Sequence, residues 1–135
     1  MKSRLRLSAT LAALSLTAAG AVGLAATPAA ATPATCLGVT GNLNEYGAHQ
    51  VAWQYGPSEC FGVAPSGTIW HTWSGAGSWK EMPGNGKALG FVAFFETSAG
   101  KAVQVVTETG NYYCNYDDYA TNTWGGWYGT STDHC

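Results

Sequence analysis

Residues 66–79 read Ser-Gly-Thr-Ile-Trp-His-Thr-Trp-Ser-Gly-Ala-Gly-Ser-Trp, and the pattern in this stretch decides the fold. A turn at Gly67 is followed by two tryptophans three apart, Trp70 and Trp73, and the stretch closes on Trp79. Downstream the same order returns as Thr109-Gly110-Asn111, then Tyr113 and Tyr116, then Trp124. Each stretch also opens alike, with Val51-Ala52-Trp53 before the first and Val92-Ala93-Phe94 before the second. The offset grows from 41 at the valine (51 to 92) to 43 at the glycine (67 to 110) and 45 at the closing tryptophan (79 to 124). Duplication followed by short loop insertions leaves that trace. A period near forty residues built from short strands is the signature of a propeller blade or a similar β-repeat. One such unit does not bury its faces alone, so function is expected where the copies meet.

The local pattern agrees. Over residues 49–55, Val51, Trp53 and Tyr55 alternate with Gln50 and Gln54, the period of a half-buried strand. Further strands are expected at 60–64, 68–74 and 78–82, divided by turns at Pro65-Ser66-Gly67 and Gly75-Ala76-Gly77. Pro83-Gly84-Asn85-Gly86 reads as the linker between copies. The second copy repeats the pattern at 90–97, 101–108, 111–117 and 123–128. Nothing after Ala31 shows a capped helical period. The expected fold is all-β: two tandem four-stranded antiparallel blade-like repeats, at about 49–83 and 90–129, forming a partial propeller or a small sandwich. Thr40-Gly41-Asn42 echoes Thr109-Gly110-Asn111, which leaves an extra hairpin upstream as an open reading.

The start of the chain sets the compartment. Lys2, Arg4 and Arg6 precede a charge-free run over residues 7–26, and Ala29-Ala30-Ala31 follows. This is the form of a secretory signal peptide over residues 1–31, leaving 32–135 as a single all-β domain. Gly20, Gly23 and several Ser and Thr interrupt the run and no basic stop signal follows it, which argues against a membrane anchor. The expected location is therefore extracellular or in the cell wall, with no membrane association after cleavage. Beyond the leader, Lys80, Lys87 and Lys101 face eight carboxylates with no arginine, leaving five net negative charges. Phosphate backbones need a basic footprint, so nucleic acid is excluded as a partner.

Cys36, Cys60, Cys114 and Cys135 all lie in the exported part, at separations of 24, 54 and 21 residues. Zinc sites want close Cys-x-x-Cys or Cys/His spacing, whereas export favours disulfides. Of the three pairings, Cys36–Cys60 with Cys114–Cys135 is favoured, because each bond tethers a tail to its nearest repeat. Cys36–Cys135 with Cys60–Cys114 stays open. A closed loop of about twenty residues contributes roughly 3 kcal/mol by the chain-entropy argument.

Six tryptophans and seven tyrosines are a large excess for this length. Their first use is core, and Trp53, Trp73, Phe94 and Tyr116 are read that way. A second use is as platforms for sugars, whose C–H faces pack on indole and phenol rings while a few fixed polar groups hold the hydroxyls. The candidate ligand-binding residues are Trp70, His71 and Trp79 in the first copy. In the second they are Tyr113, Asn115, Asp117, Tyr119, Trp124 and Trp127, within wider clusters that also hold Trp73 and Glu81 in the first copy and Tyr116, Asp118, Asn122 and Tyr128 in the second. His71 could serve as a general base, but a histidine between tryptophans on a strand is more often a packed one. Gly-x-Ser-x-Gly is absent, and Asp117-Asp118 lacks the spaced oxygen ligands of a calcium loop. Glu81, Glu96, Glu108 and Asp117 could form a glycosidase pair, yet their separation is not readable from sequence. No catalytic residue, cofactor or metal is assigned.

Ile69-Trp70-His71-Thr72-Trp73 followed by Gly77-Ser78-Trp79 resembles the blade-closing motif of tectonin-type and related two-blade bacterial β-propeller lectins. That motif runs Leu-Trp-His-x-Trp, a glycine-rich turn, then Trp. The second copy departs from it with Tyr112-Tyr113-Cys114-Asn115-Tyr116 and keeps the ending Trp124-Gly125-Gly126-Trp127. The resemblance implies non-catalytic sugar binding between blades and a ring completed by homo-oligomerisation. The Arg-Glu-Trp constellation of fucose-binding members has no counterpart, since no arginine follows the leader. The expectation is a secreted, non-catalytic module for extracellular glycan. The alternatives are a secreted protein-binding factor such as a hydrolase inhibitor, inserting residues 117–124, or a cell-envelope structural protein.

Overall fold

The computed structural model describes residues 30–130 and 134–135, so the expected leader falls outside the described residues up to position 29. The described residues form antiparallel strands and no helix. β1 (Thr32–Cys36) and β2 (Val39–Leu43) make a hairpin on their own. Their turn is Leu37-Gly38, with both residues left-handed at φ 49° and 79°. That is the backbone twist a two-residue hairpin needs, here without the usual Asn-Gly signal. A four-stranded sheet follows in the order β3 (Ala48–Val51), β4 (Glu59–Val63), β5 (Ile69–Trp73), β6 (Lys80–Glu81). The second large sheet contains β7 (Gly90–Thr97), β8 (Gly100–Val106), β9 (Tyr112–Asp118) and β10 (Thr123–Trp124). β11 (Tyr128–Thr130) also pairs with β9. No sheet closes on itself among the described residues.

The two large sheets share one core. Strand alternation sends every second residue inward, and the registers arrange those residues in levels. Val63 opposes Ile69 in the first sheet, and Val105 is flanked by Phe91 and Tyr113 in the second. The next level holds Phe61 with His49 and His71, and Val103 with Phe94 and Asn115. The last level is charged: Glu59 stands between Val51 and Trp73, and Lys101 between Glu96 and Asp117. Phe61 is fully buried at the centre, 5.5 Å from the rings of both Phe91 and Phe94. Those two phenylalanines are three residues apart, yet both pack on the core. A bulge between Phe91 and Ala93 accounts for this by inserting the exposed Val92.

The outer faces of the central strands are covered too. Cys60 and Gly62 of β4 point away from the core. Cys60 is bonded to Cys36, and the Leu43 side chain fills the space a Cβ at Gly62 would need. In the second sheet Cys114 is bonded to Cys135, and the outward Gln104 donates to Thr130 Oγ1 at 3.2 Å. Each large sheet is thus roofed by a tail held by its own disulfide.

Three details differ from the sequence reading. The strand expected over 49–55 stops at Val51, because the N–H groups of Gln54 and Tyr55 go to the Glu96 carboxylate at 2.6 and 2.8 Å instead of a ladder. Trp53 still turns inward, while Tyr55 faces solvent. The strand expected over 123–128 divides in two around Gly125-Gly126. The closing tryptophans do not correspond. β6 places Glu81 opposite Trp70, and its spatial counterpart is β11, which places Tyr128 opposite Cys114. Trp124 lies on the additional strand β10 and enters the core, whereas Trp79 lies outside, against Gly41.

Candidate functional site

Glu59 is the centre of the charged level. It is carried inward by the same alternation that buries Phe61 and Val63, and only 3 % of it is exposed. A bare carboxylate there would be strongly unfavourable, and four donors surround it. His71 Nδ1 lies 2.5 Å from Oε1 and Trp124 Nε1 donates to Oε1 at 3.3 Å. Lys101 Nζ donates to Oε2 at 2.6 Å, and Trp53 Nε1 donates to Oε2 at 3.2 Å. The donors come from β5, β10, β8 and the loop after β3, so one carboxylate ties both sheets and a connecting loop.

Burial alone would push the Glu59 carboxyl upward. The hydrogen bonds and positive charge of His71 and Lys101 outweigh it and hold Glu59 below the ordinary carboxylate range. Asp117 goes the other way. Its burial dominates, and Lys101, with Nζ 3.4 Å from Oδ2, only partly offsets it, so Asp117 is held above its ordinary range. Asp117 Oδ1 is buried and has no hydrogen-bond partner. The Lys101 ammonium itself sits within aromatic rings, 5.3 Å from Trp124, 5.5 Å from Trp53 and 5.9 Å from Tyr119. Cation–π attraction therefore adds to its two ion pairs.

This cluster floors a pocket of about 220 Å³. Trp73 and Trp124 give it ring walls; His71, Lys101, Asp117 and Asn122 give it polar groups; Pro57 completes the rim. With Nδ1 of His71 committed to Glu59, Nε2 is the ring nitrogen left for a ligand. A second carboxylate, outside the pocket lining, joins two neighbouring loops. Glu96 accepts from the Gln54 and Tyr55 N–H groups on one loop and from Tyr119 Oη at 2.5 Å on another. Slight desolvation works upward on Glu96, but these three donors leave it below the ordinary range. Tyr119 is pushed well above the usual phenol value, by burial first and then by its bond to Glu96.

The structure divides the sequence-derived candidates into three groups. His71, Asp117 and Trp124 come together in the pocket, with Tyr119 directly behind Lys101. Trp70 and Trp79 line a separate groove of about 250 Å³ with Gly41, Asn42 and Leu43, where the β1–β2 hairpin meets the first sheet. Tyr113, Asn115 and Trp127 are interior. Asn115 is fully buried and donates to the Pro83 carbonyl at 3.2 Å, Tyr113 packs on the core, and Trp127 is laid against Gly84 and Gly86 of the linker. Sequence reading missed Glu59 and Lys101 as site residues, and it read Trp73 chiefly as core while setting it, with Asn122, among the ring and polar groups of the two clusters. A signal was available: Glu59 and Lys101 each stand at the inward parity of an otherwise apolar strand. Among the described residues no cluster of histidine, cysteine and carboxylates has metal-binding geometry. Comparison with protein-family models, with curated proteins and with solved structures finds no match to this chain.

Proposed function

We propose that this is a secreted carbohydrate-binding protein, with one saccharide unit held in the pocket between Trp73 and Trp124. The observation that carries this reading is the combination of two tryptophans with the polar side chains of His71, Lys101, Asp117 and Asn122 in a pocket of monosaccharide size. Small apolar pockets with a few convergent polar groups are the usual form of a ligand site. Asn122 and His71 Nε2 are polar groups that the pocket offers to sugar hydroxyls. Export and the two disulfides belong to the same reading, since both suit an oxidising exterior. We also read the two large sheets as diverged copies of one ancestral unit. They share strand order, inward parity and a disulfide-held outer cover, and pairing of copies between chains would multiply weak single sites.

The test is titration with neutral oligosaccharides, followed by tryptophan fluorescence and a glycan array. Trp73→Ala should weaken binding about tenfold or more, as loss of a stacking wall does. Trp73 is preferred to Trp124 because it lies outside the buried core cluster. Absence of any glycan ligand, with stoichiometric capture of a secreted hydrolase instead, would replace this reading with the inhibitor one.

A further inference from the structure

Lys101 and Asp117 face each other directly across β8 and β9, and both side chains point into the dry interior. Nζ of Lys101 is 3.4 Å from Asp117 Oδ2, so the amine nitrogen is in direct contact with the carboxyl group whose Cγ it would attack. On the other side of the ammonium, 2.6 Å away, is a second carboxylate, that of Glu59. Three aromatic rings close off the remaining directions. As an ion cluster this is costly, since it keeps three charges out of water. As a reaction site it contains an amine, an electrophilic carboxyl and a proton relay, with both reacting side chains largely buried.

We propose that Lys101 and Asp117 condense to a side-chain amide that cross-links β8 to β9, with Glu59 relaying the protons. The ammonium gives one proton through Glu59 to Asp117, producing a free amine and a carboxylic acid. The amine lone pair attacks Cγ of Asp117. Glu59 Oε2 takes a proton from the nitrogen of the tetrahedral adduct and hands it to the departing hydroxyl, which leaves as water. The C–O bond breaks, the C–N bond remains, and Glu59 ends as it began. One ammonium and one carboxylate have become one amide and one water, with no oxidant or other reactant needed.

Glu59 lies nearer to the amine than Asp117 does, yet it is the poorer electrophile. Its two oxygens already hold four donors and stabilise the anion. Asp117 has an unpartnered oxygen, and burial favours its protonated form. The reaction removes two buried charges. The amide N–H can still donate to Glu59, and the amide carbonyl takes the place of the unpartnered Oδ1, so the pocket keeps its acceptor. The proposal is independent of what the pocket binds.

Intact-mass measurement of the exported, disulfide-bonded protein tests it. The expected mass is one water below that of the sequence with two disulfides, and peptide mapping should join the segment containing Lys101 to that containing Asp117. Lys101→Arg and Asp117→Ala should restore the missing water. Asp117→Asn should still cross-link but expel ammonia instead, a result that a general folding defect would not give. Glu59→Gln should leave the full mass, showing the relay. A wild-type mass that is short of nothing but the disulfide hydrogens overturns the proposal. So does a water deficit mapped to Glu59 or to any site other than this pair.

Discussion

The two ends of the interior are built from the same strands and behave oppositely. At one end Val63, Ile69, Met82 and Val105 fill the space with apolar side chains. At the other, the same alternation in β4 and β8 delivers Glu59 and Lys101. Apolar packing tolerates many arrangements of similar volume. A buried charge does not, because it is strongly unfavourable wherever its partner is missing. The apolar end therefore supplies stability, and the charged end fixes how the sheets face each other and shapes the pocket above them.

The comparison breaks most visibly at its charged end. Glu59→Ala would leave Lys101 buried beside a single, more distant carboxylate, and the expected loss is about 3–5 kcal/mol in urea unfolding. A loss below about 1 kcal/mol would mean that water reaches the cluster. At the apolar end, Ile69→Ala should cost about 2–5 kcal/mol, as cavity formation does, without changing ligand binding. Replacing all three charges, Glu59→Leu and Lys101→Met together with Asp117→Leu, sharpens the contrast. Stability should return to within about 1–2 kcal/mol of the parent, while fluorescence titration should show glycan binding lost. Tyr55→Ala, an exposed ring outside both ends, should change stability by less than about 0.5 kcal/mol.

Acid acts on the charged end alone. The folded Glu59 carboxyl lies below its unfolded value near 4.5, so its contribution is whole above that pH and lost as acid protonates the folded group. Glu96 has the same sign. Asp117, in chains where it is not joined to Lys101, has the opposite one: its folded value lies above the unfolded value near 3.8, so protonation relieves a penalty. The melting temperature should therefore fall as pH drops below about 4.5. In Glu59→Gln that fall should flatten, leaving the part that belongs to the Glu96 clasp. An unchanged acid slope in this variant would count against Glu59 as the governing group.

The all-β architecture was legible because period-two alternation and glycine turns are local signals, and β7 was bounded correctly from them. Local signals failed where the chain's partners lie far away. Val51, Trp53 and Tyr55 read as one strand because nothing in residues 49–55 reveals that Glu96 takes the N–H groups of Gln54 and Tyr55. The β1–β2 hairpin stayed only an open reading because Leu37-Gly38 is a weak turn signal. For the site, His71, Asp117 and Trp124 were found through their chemistry. Glu59 and Lys101 were missed because each is unremarkable alone and acquires meaning only when two sheets stack. Trp79 and Trp124 were paired by order along the chain, and strand register separates them.

The inserted Val92 has one more effect. Among the described residues β7 is the last strand of its sheet, so one row of its amide and carbonyl groups has no neighbouring strand there. Eight regular residues in that position would offer a ready template for a strand from another molecule. The kink at Val92 interrupts the row at its third residue and twists it out of line, so the residue that lets two phenylalanines share the interior also guards this flank against fibrillar stacking.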